Sequence, residues 1–161
     1  MGTLTVWKFD TAEGADGALN KVMELSKQQL IQVQDAAVVS WPKGKKSPKT
    51  KNLGDMTGRG ALTGAFWGML FGLIFFIPFF GLAVGAAMGA LAGKFSDYGI
   101  DDNFIKQVRE KVTEGTSALF LLTSGAVQDK VKEAFQGAPM QLVQSNLNSE
   151  QEARLREEFG A

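Results

Sequence analysis

The sequence predicts an α+β fold, a ferredoxin-like split β-α-β sandwich interrupted by an apolar glycine-zipper helical hairpin. Three observations carry that expectation. A β-α-β pattern stands near each end of the chain, an uncharged stretch runs from Gly60 to Gly93 between them, and glycine recurs there at every fourth position. Two β-α-β halves give the plan of a four-stranded antiparallel sheet with two helices on one face.

Leu4–Phe9 is β-branched and aromatic and reads as the first strand. Asp10 or Thr11 is placed to cap a following helix. Ala15, Ala18, Leu19, Val22, Met23 and Leu30 give that helix one apolar face. Val33–Trp41 reads as the second strand, ended by Pro42. After the uncharged stretch, Asp101 and Asp102 open a helix whose apolar face is Phe104, Ile105, Val108 and Val112, and Gly115 ends it. Acidic residues suit a helix N-terminus electrostatically, so capping accounts for this carboxylate pair. Ala118–Thr123 is a strongly apolar third strand. Gly125 opens a short helix with Val127, Val131, Ala134 and Phe135 on one side, and Gly137 and Pro139 end it. Met140–Leu147 is the last strand. Ser149 and Glu152 form a capping-box pattern for a C-terminal helix with a thin apolar edge, Leu155 and Phe159. The expected division is a ferredoxin-like domain from 1–53 and 101–147, a hairpin at 57–94, and a terminal helix at 148–161.

The stretch Gly60–Gly93 is the most distinctive part of the chain. As one straight helix it would span roughly 51 Å, more than the ~30 Å hydrocarbon core of a bilayer. Pro78 lies near its middle and marks the bend of a hairpin. The first half carries Gly60, Gly64, Gly68 and Gly72, and the second carries Gly81, Gly85, Gly89 and Gly93. Residues four apart share one helix face, so each half presents a glycine stripe. Glycine costs about 1 kcal/mol per position in a water-exposed helix, whereas it favours close approach of backbones in helix packing. These eight residues are therefore the expected helix-packing and oligomerisation positions. An uncharged run longer than ~18 residues is also the signature of a membrane span. Lys43, Lys45, Lys46, Lys49, Lys51 and Arg59 precede the run. They are the expected lipid-headgroup contacts, and by the positive-inside rule they place both ends of a two-pass hairpin in the cytoplasm.

Composition removes several classes of function. Among 161 residues, Lys plus Arg number 17 and Asp plus Glu number 17, so the formal net charge is zero and a globally basic nucleic-acid binder is not expected. No Cys and no His are present. Thiolate and imidazole catalysis are thereby excluded, as are metal sites built on those ligands. Gly58-Arg59-Gly60 with Gly64 departs from a dinucleotide loop, because Thr63 stands where the third glycine belongs. Gly44-Lys45-Lys46-Ser47 lacks the upstream glycine of a phosphate loop. No acid–base pair is indicated, so neither an enzyme nor a cofactor is expected. Residues 1–10 hold only a short strand-like stretch, so no signal peptide is expected.

The order of elements resembles the bacterial "domain of unknown function 1269" family of predicted membrane proteins. Three segments carry the resemblance: TLTVWKFDTAEGADGALNKVMEL, DAAVVSWPKGKKSPKTKNLGDMTGRGALTGAFWGMLFGLIFFIPFFG, and SDYGIDDNFIKQVREKVTEGTSALFLL. The resemblance implies a membrane-associated bacterial protein with no known catalysis, and it supplies no ligand residues. The resulting expectation is a non-enzymatic scaffold at the inner membrane, with both termini cytoplasmic. Its partners would be the lipid bilayer and further copies of itself. The alternatives are a channel or membrane-remodelling oligomer, and a soluble self-assembling particle that buries its hairpins.

Overall fold

A computed structural model describes residues 2–28, 33–46, 48–52, 64–76, 95–124 and 140–147, together with 150, 151, 153, 154 and 157. The fold class is α+β, as expected. Its centre is an antiparallel sheet of β1 (Gly2–Phe9), β2 (Val33–Ser40), β3 (Lys49–Asn52), β4 (Ser117–Ser124) and β5 (Met140–Leu147), in the order β3-β2-β4-β1-β5. The helices are α1 (Gly14–Lys27), α2 (Gly64–Phe71) and α3 (Asp102–Lys111), and a π-helical segment, Gly72–Phe76, continues α2.

Strand alternation sorts the sheet into two faces. Leu4 pairs Leu122 and Val6 pairs Phe120, while Ala37 pairs Phe120 from the other side. These residues belong to one apolar core. Trp7 pairs Leu119, Val38 also pairs Leu119, and Ala36 pairs Leu121, all in a second core on the opposite face. α1 covers the second face with Ala15, Ala18, Leu19 and Val22. α2, the π segment, Phe95, Tyr98, Ile100 and α3 cover the first.

The start of α1 departs from expectation. Its N-cap is Glu13, whose side chain makes no capping bond. Instead Ser117 Oγ, from β4, accepts from Ala15 N at 2.9 Å and donates to Thr11 O at 2.6 Å. Ser40, its direct neighbour on β2, donates to Ala12 O at 2.6 Å. Asp10 pairs with Lys8 at 2.9 Å. A sheet thus supplies the helix cap that sequence placed locally. Glycine is required at Gly14, where an added Cβ would lie 2.6 Å from Phe9 Cβ. At α3 the capping expectation holds: the Asp101 side chain accepts from Phe104 N at 2.9 Å. Glu150 and Glu157 are helical and exposed, and Arg154 pairs with Glu150 one turn away at 2.7 Å.

The membrane expectation is overturned. No helix among the described residues is long and apolar enough to cross a bilayer. α2 has eight residues and the π segment five, against the ~20 that a span needs. The physical reason is a competing apolar partner. Phe66, Trp67, Leu70, Phe71, Leu73, Ile74 and Phe75 are all buried in the core shared with β1, β2 and β4. The transmembrane helical hairpin is therefore not supported, nor is the inner-membrane location with both termini cytoplasmic.

Candidate functional site

The uncharged helix is the feature around which a site can be built. Its inner side is a run of aromatic contacts. Trp67 packs against Phe66 at 4.9 Å between ring centroids, stacks on Phe71 at 5.7 Å, and meets Phe120 of β4 edge-on at 6.3 Å. Phe71 meets Phe120 edge-on at 5.1 Å. Such geometries add about 0.5–1.5 kcal/mol per pair beyond burial. Trp67 is only 1% exposed, and its indole N–H has no hydrogen-bond acceptor among the described residues, so apolar packing holds the ring in place.

The outer side carries the glycines. Gly68 is exposed and Gly72 half-exposed, and a Cβ built on either meets nothing within 4 Å. Met69 beside them is 41% exposed, the one large apolar side chain so placed among the described residues. Gly64 begins α2. Gly60, Gly81, Gly85, Gly89, Gly93 and the expected bend at Pro78 lie outside the described residues.

The π segment ends against α3. Arg109 donates from Nε to Ile74 O at 3.0 Å and from Nη2 to Leu73 O at 2.9 Å. The guanidinium thereby makes charge-assisted hydrogen bonds to two successive carbonyls of the π segment. π-helical insertions recur at functional sites. Here one borders a cavity of about 690 Å³. Ile74, Phe75 and Val112 give the cavity buried apolar wall, Trp41 stands half-buried beside them, and exposed Lys45 and Lys46 stand at its rim.

The loop after β2 is held in place. Trp41 Nε1 donates to Lys45 O at 2.9 Å, and the ring meets Phe75 edge-on at 6.3 Å. Trp41 also extends the β2–β4 pairing, with its N donating to Thr116 O at 2.9 Å and its O accepting from Gly115 N at 2.6 Å. Lys45 N closes a turn onto Pro42 O at 3.2 Å, with Gly44 at φ 85° inside it. Gly44 N donates to the Glu114 carboxylate.

The basic segment is therefore divided. Lys45 and Lys46 border the cavity on the α2 face. Lys49 pairs Ser40 and Lys51 pairs Val38, which puts both on the α1 face of edge strand β3. Lysines on an edge strand also discourage strand addition. Lys43 is exposed in the turn, and Arg59 lies outside the described residues. Sequence reasoning missed Arg109 and Trp41 as site residues. They lie far from the lysines or outside any motif, and only folding gathers them.

The fold and this site define an α+β protein whose antiparallel sheet is covered on one face by an uncharged glycine-bearing helix. A family model described as protein of unknown function (DUF1269) matches residues 61–160. The chain belongs to that family. No curated protein matches the chain, and no solved structure matches it.

Proposed function

We propose that this is a non-enzymatic scaffold protein that assembles with copies of itself into a particle, burying the uncharged Gly60–Gly93 block among subunits. The observation that carries this reading is the outer side of α2. Gly68, Met69 and Gly72 present apolar or bare backbone to the exterior, and no charged side chain lies in the helix. A helix left in water gains from a polar outer face. A helix meant to meet another closely gains from glycine.

The sequence offers a complement of the same spacing in Gly81, Gly85, Gly89 and Gly93, and in this reading a neighbouring subunit meets the exposed side of α2. The sheet order supports a ferredoxin-like plan beneath this block. With β3 set aside, the order β2-β4-β1-β5 is that of two interleaved β-α-β units. In this reading β3 is an addition at the β2 edge, and α2, the π segment and α3 fill the sheet face that a two-layer sandwich leaves open.

The chain has no cysteine, so single-cysteine variants give an unambiguous test. Met69→Cys, oxidised at micromolar concentration, is expected to form dimers on non-reducing gels. Lys106→Cys, on the exposed side of α3, is expected to remain monomeric under the same treatment. Equal dimer yields from the two variants, or none from Met69→Cys, would count against the assembly.

A further inference from the structure

Self-association leaves the cavity beside the π segment without a role. Its volume, about 690 Å³, lies within the ~300–1,000 Å³ range of small-molecule sites. The chemistry of its wall is divided. Ile74, Phe75, Val112 and Trp41 are apolar or aromatic, while the charged groups around them among the described residues are Lys45, Lys46, Arg109 and Glu114. Two of those charges are engaged. Arg109 holds the Leu73 and Ile74 carbonyls, and Glu114 accepts from Gly44 N. The ammonium groups of Lys45 and Lys46 have no ion-pair partner among the described residues. An excess of positive charge thus stands over an apolar surface.

We propose that this cavity binds an amphipathic organic anion. Its apolar body lies against Trp41, Phe75, Ile74 and Val112, and its anionic head meets Lys45 and Lys46. A medium-chain carboxylate is the simplest member of the class. Exposed lysines alone hold a small anion weakly in water, so the apolar wall supplies most of the affinity and the lysines select the charge. A cationic amphiphile meets repulsion at the rim, and a neutral one gains nothing from it. The wall is also preorganised. Lys45 O and Phe75 fix the Trp41 ring, so little ordering cost falls on binding. The surface is separate from the Gly68 side of α2, and the inference stands whether or not the chain self-associates.

The test titrates the full chain with hexanoate, octanoate and decanoate, and with 1-decanol and decyltrimethylammonium, by calorimetry and tryptophan emission. Trp7 and Trp67 are fully buried and Trp41 is half-buried at the cavity, so an emission change reports the cavity and disappears in Trp41→Phe. Each buried CH₂ raises affinity up to about fourfold, so decanoate is expected to bind tighter than octanoate, and octanoate tighter than hexanoate. Decanoate is expected to exceed decanol and decyltrimethylammonium about tenfold or more. The doubly reversed Lys45→Glu/Lys46→Glu protein, checked by circular dichroism for folding, is expected to lose that preference. Equal affinity for the three decyl compounds would overturn the proposal, as would the absence of any decanoate heat or emission change. The ligand series needs no variant, so the proposal stays open to refutation even if the doubly reversed protein fails to fold.

Discussion

The two faces of the sheet are covered by helices of opposite design. α1 buries Ala15, Ala18, Leu19 and Val22 and turns Asp16, Asn20, Lys21 and Glu24 outward. α2 buries Phe66, Trp67, Leu70 and Phe71 and turns Gly68 and Met69 outward. Both helices meet the sheet as amphipathic packing requires. Only α1 also meets water as a surface helix does, with a charged outer side. α3 follows the α1 pattern, with Lys106 and Glu110 beside its buried Ile105 and Val108. The difference teaches that an uncharged helix need not be a lipid-facing one. It has two apolar sides to satisfy, and the sheet satisfies one of them.

The largest effects should come from the side that faces the sheet. Phe71→Ala removes a ring that touches Trp67, Phe75 and Phe120. It is expected to lower stability by about 3–5 kcal/mol, read from the urea midpoint. Leu19→Ala on the α1 face should cost about 2–5 kcal/mol by the same mechanism. A near-zero cost for Phe71→Ala alone would break the equivalence of the two inner faces.

Arg109→Met sharpens the comparison at the π segment that continues the uncharged helix. It removes charge-assisted bonds to Leu73 O and Ile74 O, at an expected cost of about 2 kcal/mol. Amide exchange should quicken through Gly72–Phe76 while α1 stays protected. Arg109→Lys should rescue little, since one ammonium does not reproduce the guanidinium fork. Ser117→Ala makes the reciprocal change on the α1 face. It leaves Ala15 N without its acceptor and takes from Thr11 O its shorter donor, with Gly14 N remaining at 3.4 Å, at an expected cost of about 1–2 kcal/mol. Its exchange signature should be confined to the first turn of α1.

Much of this architecture is legible in the sequence because periodicity reports burial directly. β1, β2, β4 and β5 lie where alternation places them, within two residues at their ends, and α1 and α3 lie where helical spacing places them but end at Lys27 and Lys111, short of the expected Leu30 and Gly115. β3 was not legible: Lys-Thr-Lys-Asn has no apolar residue, and only Asn52 is buried. The cap of α1 was not legible either, because it comes from Ser117, about a hundred residues downstream. The membrane reading failed for a related reason. Hydropathy measures how strongly a segment avoids water and is silent about what receives it. One signal pointed to the receiver. β2 reads Ala-Ala-Val-Val and β4 reads Ala-Leu-Phe-Leu-Leu, continuous apolar runs of the kind buried on both faces. A sheet with two apolar faces needs two covers, and α1 supplies only one. Of the cavity residues only Lys45 and Lys46 stand out in the sequence, as charges; Trp41, Phe75 and Arg109 carry no motif and come from three separate elements.

The central claim is that α2 has a second side built for contact, and two glycines test it under matched conditions. Gly17 on α1 and Gly68 on α2 are both exposed, and an added Cβ meets nothing within 4 Å at either. Within a single subunit, neither position crowds the Cβ that a substitution adds. The deciding measurement is the molar mass of the wild type, Gly17→Leu and Gly68→Leu by light scattering on a sizing column. The account predicts that Gly17→Leu keeps the oligomeric mass of the wild type while Gly68→Leu falls to a smaller species with its fold intact. A monomeric wild type, or a Gly68→Leu protein of unchanged mass, would contradict it.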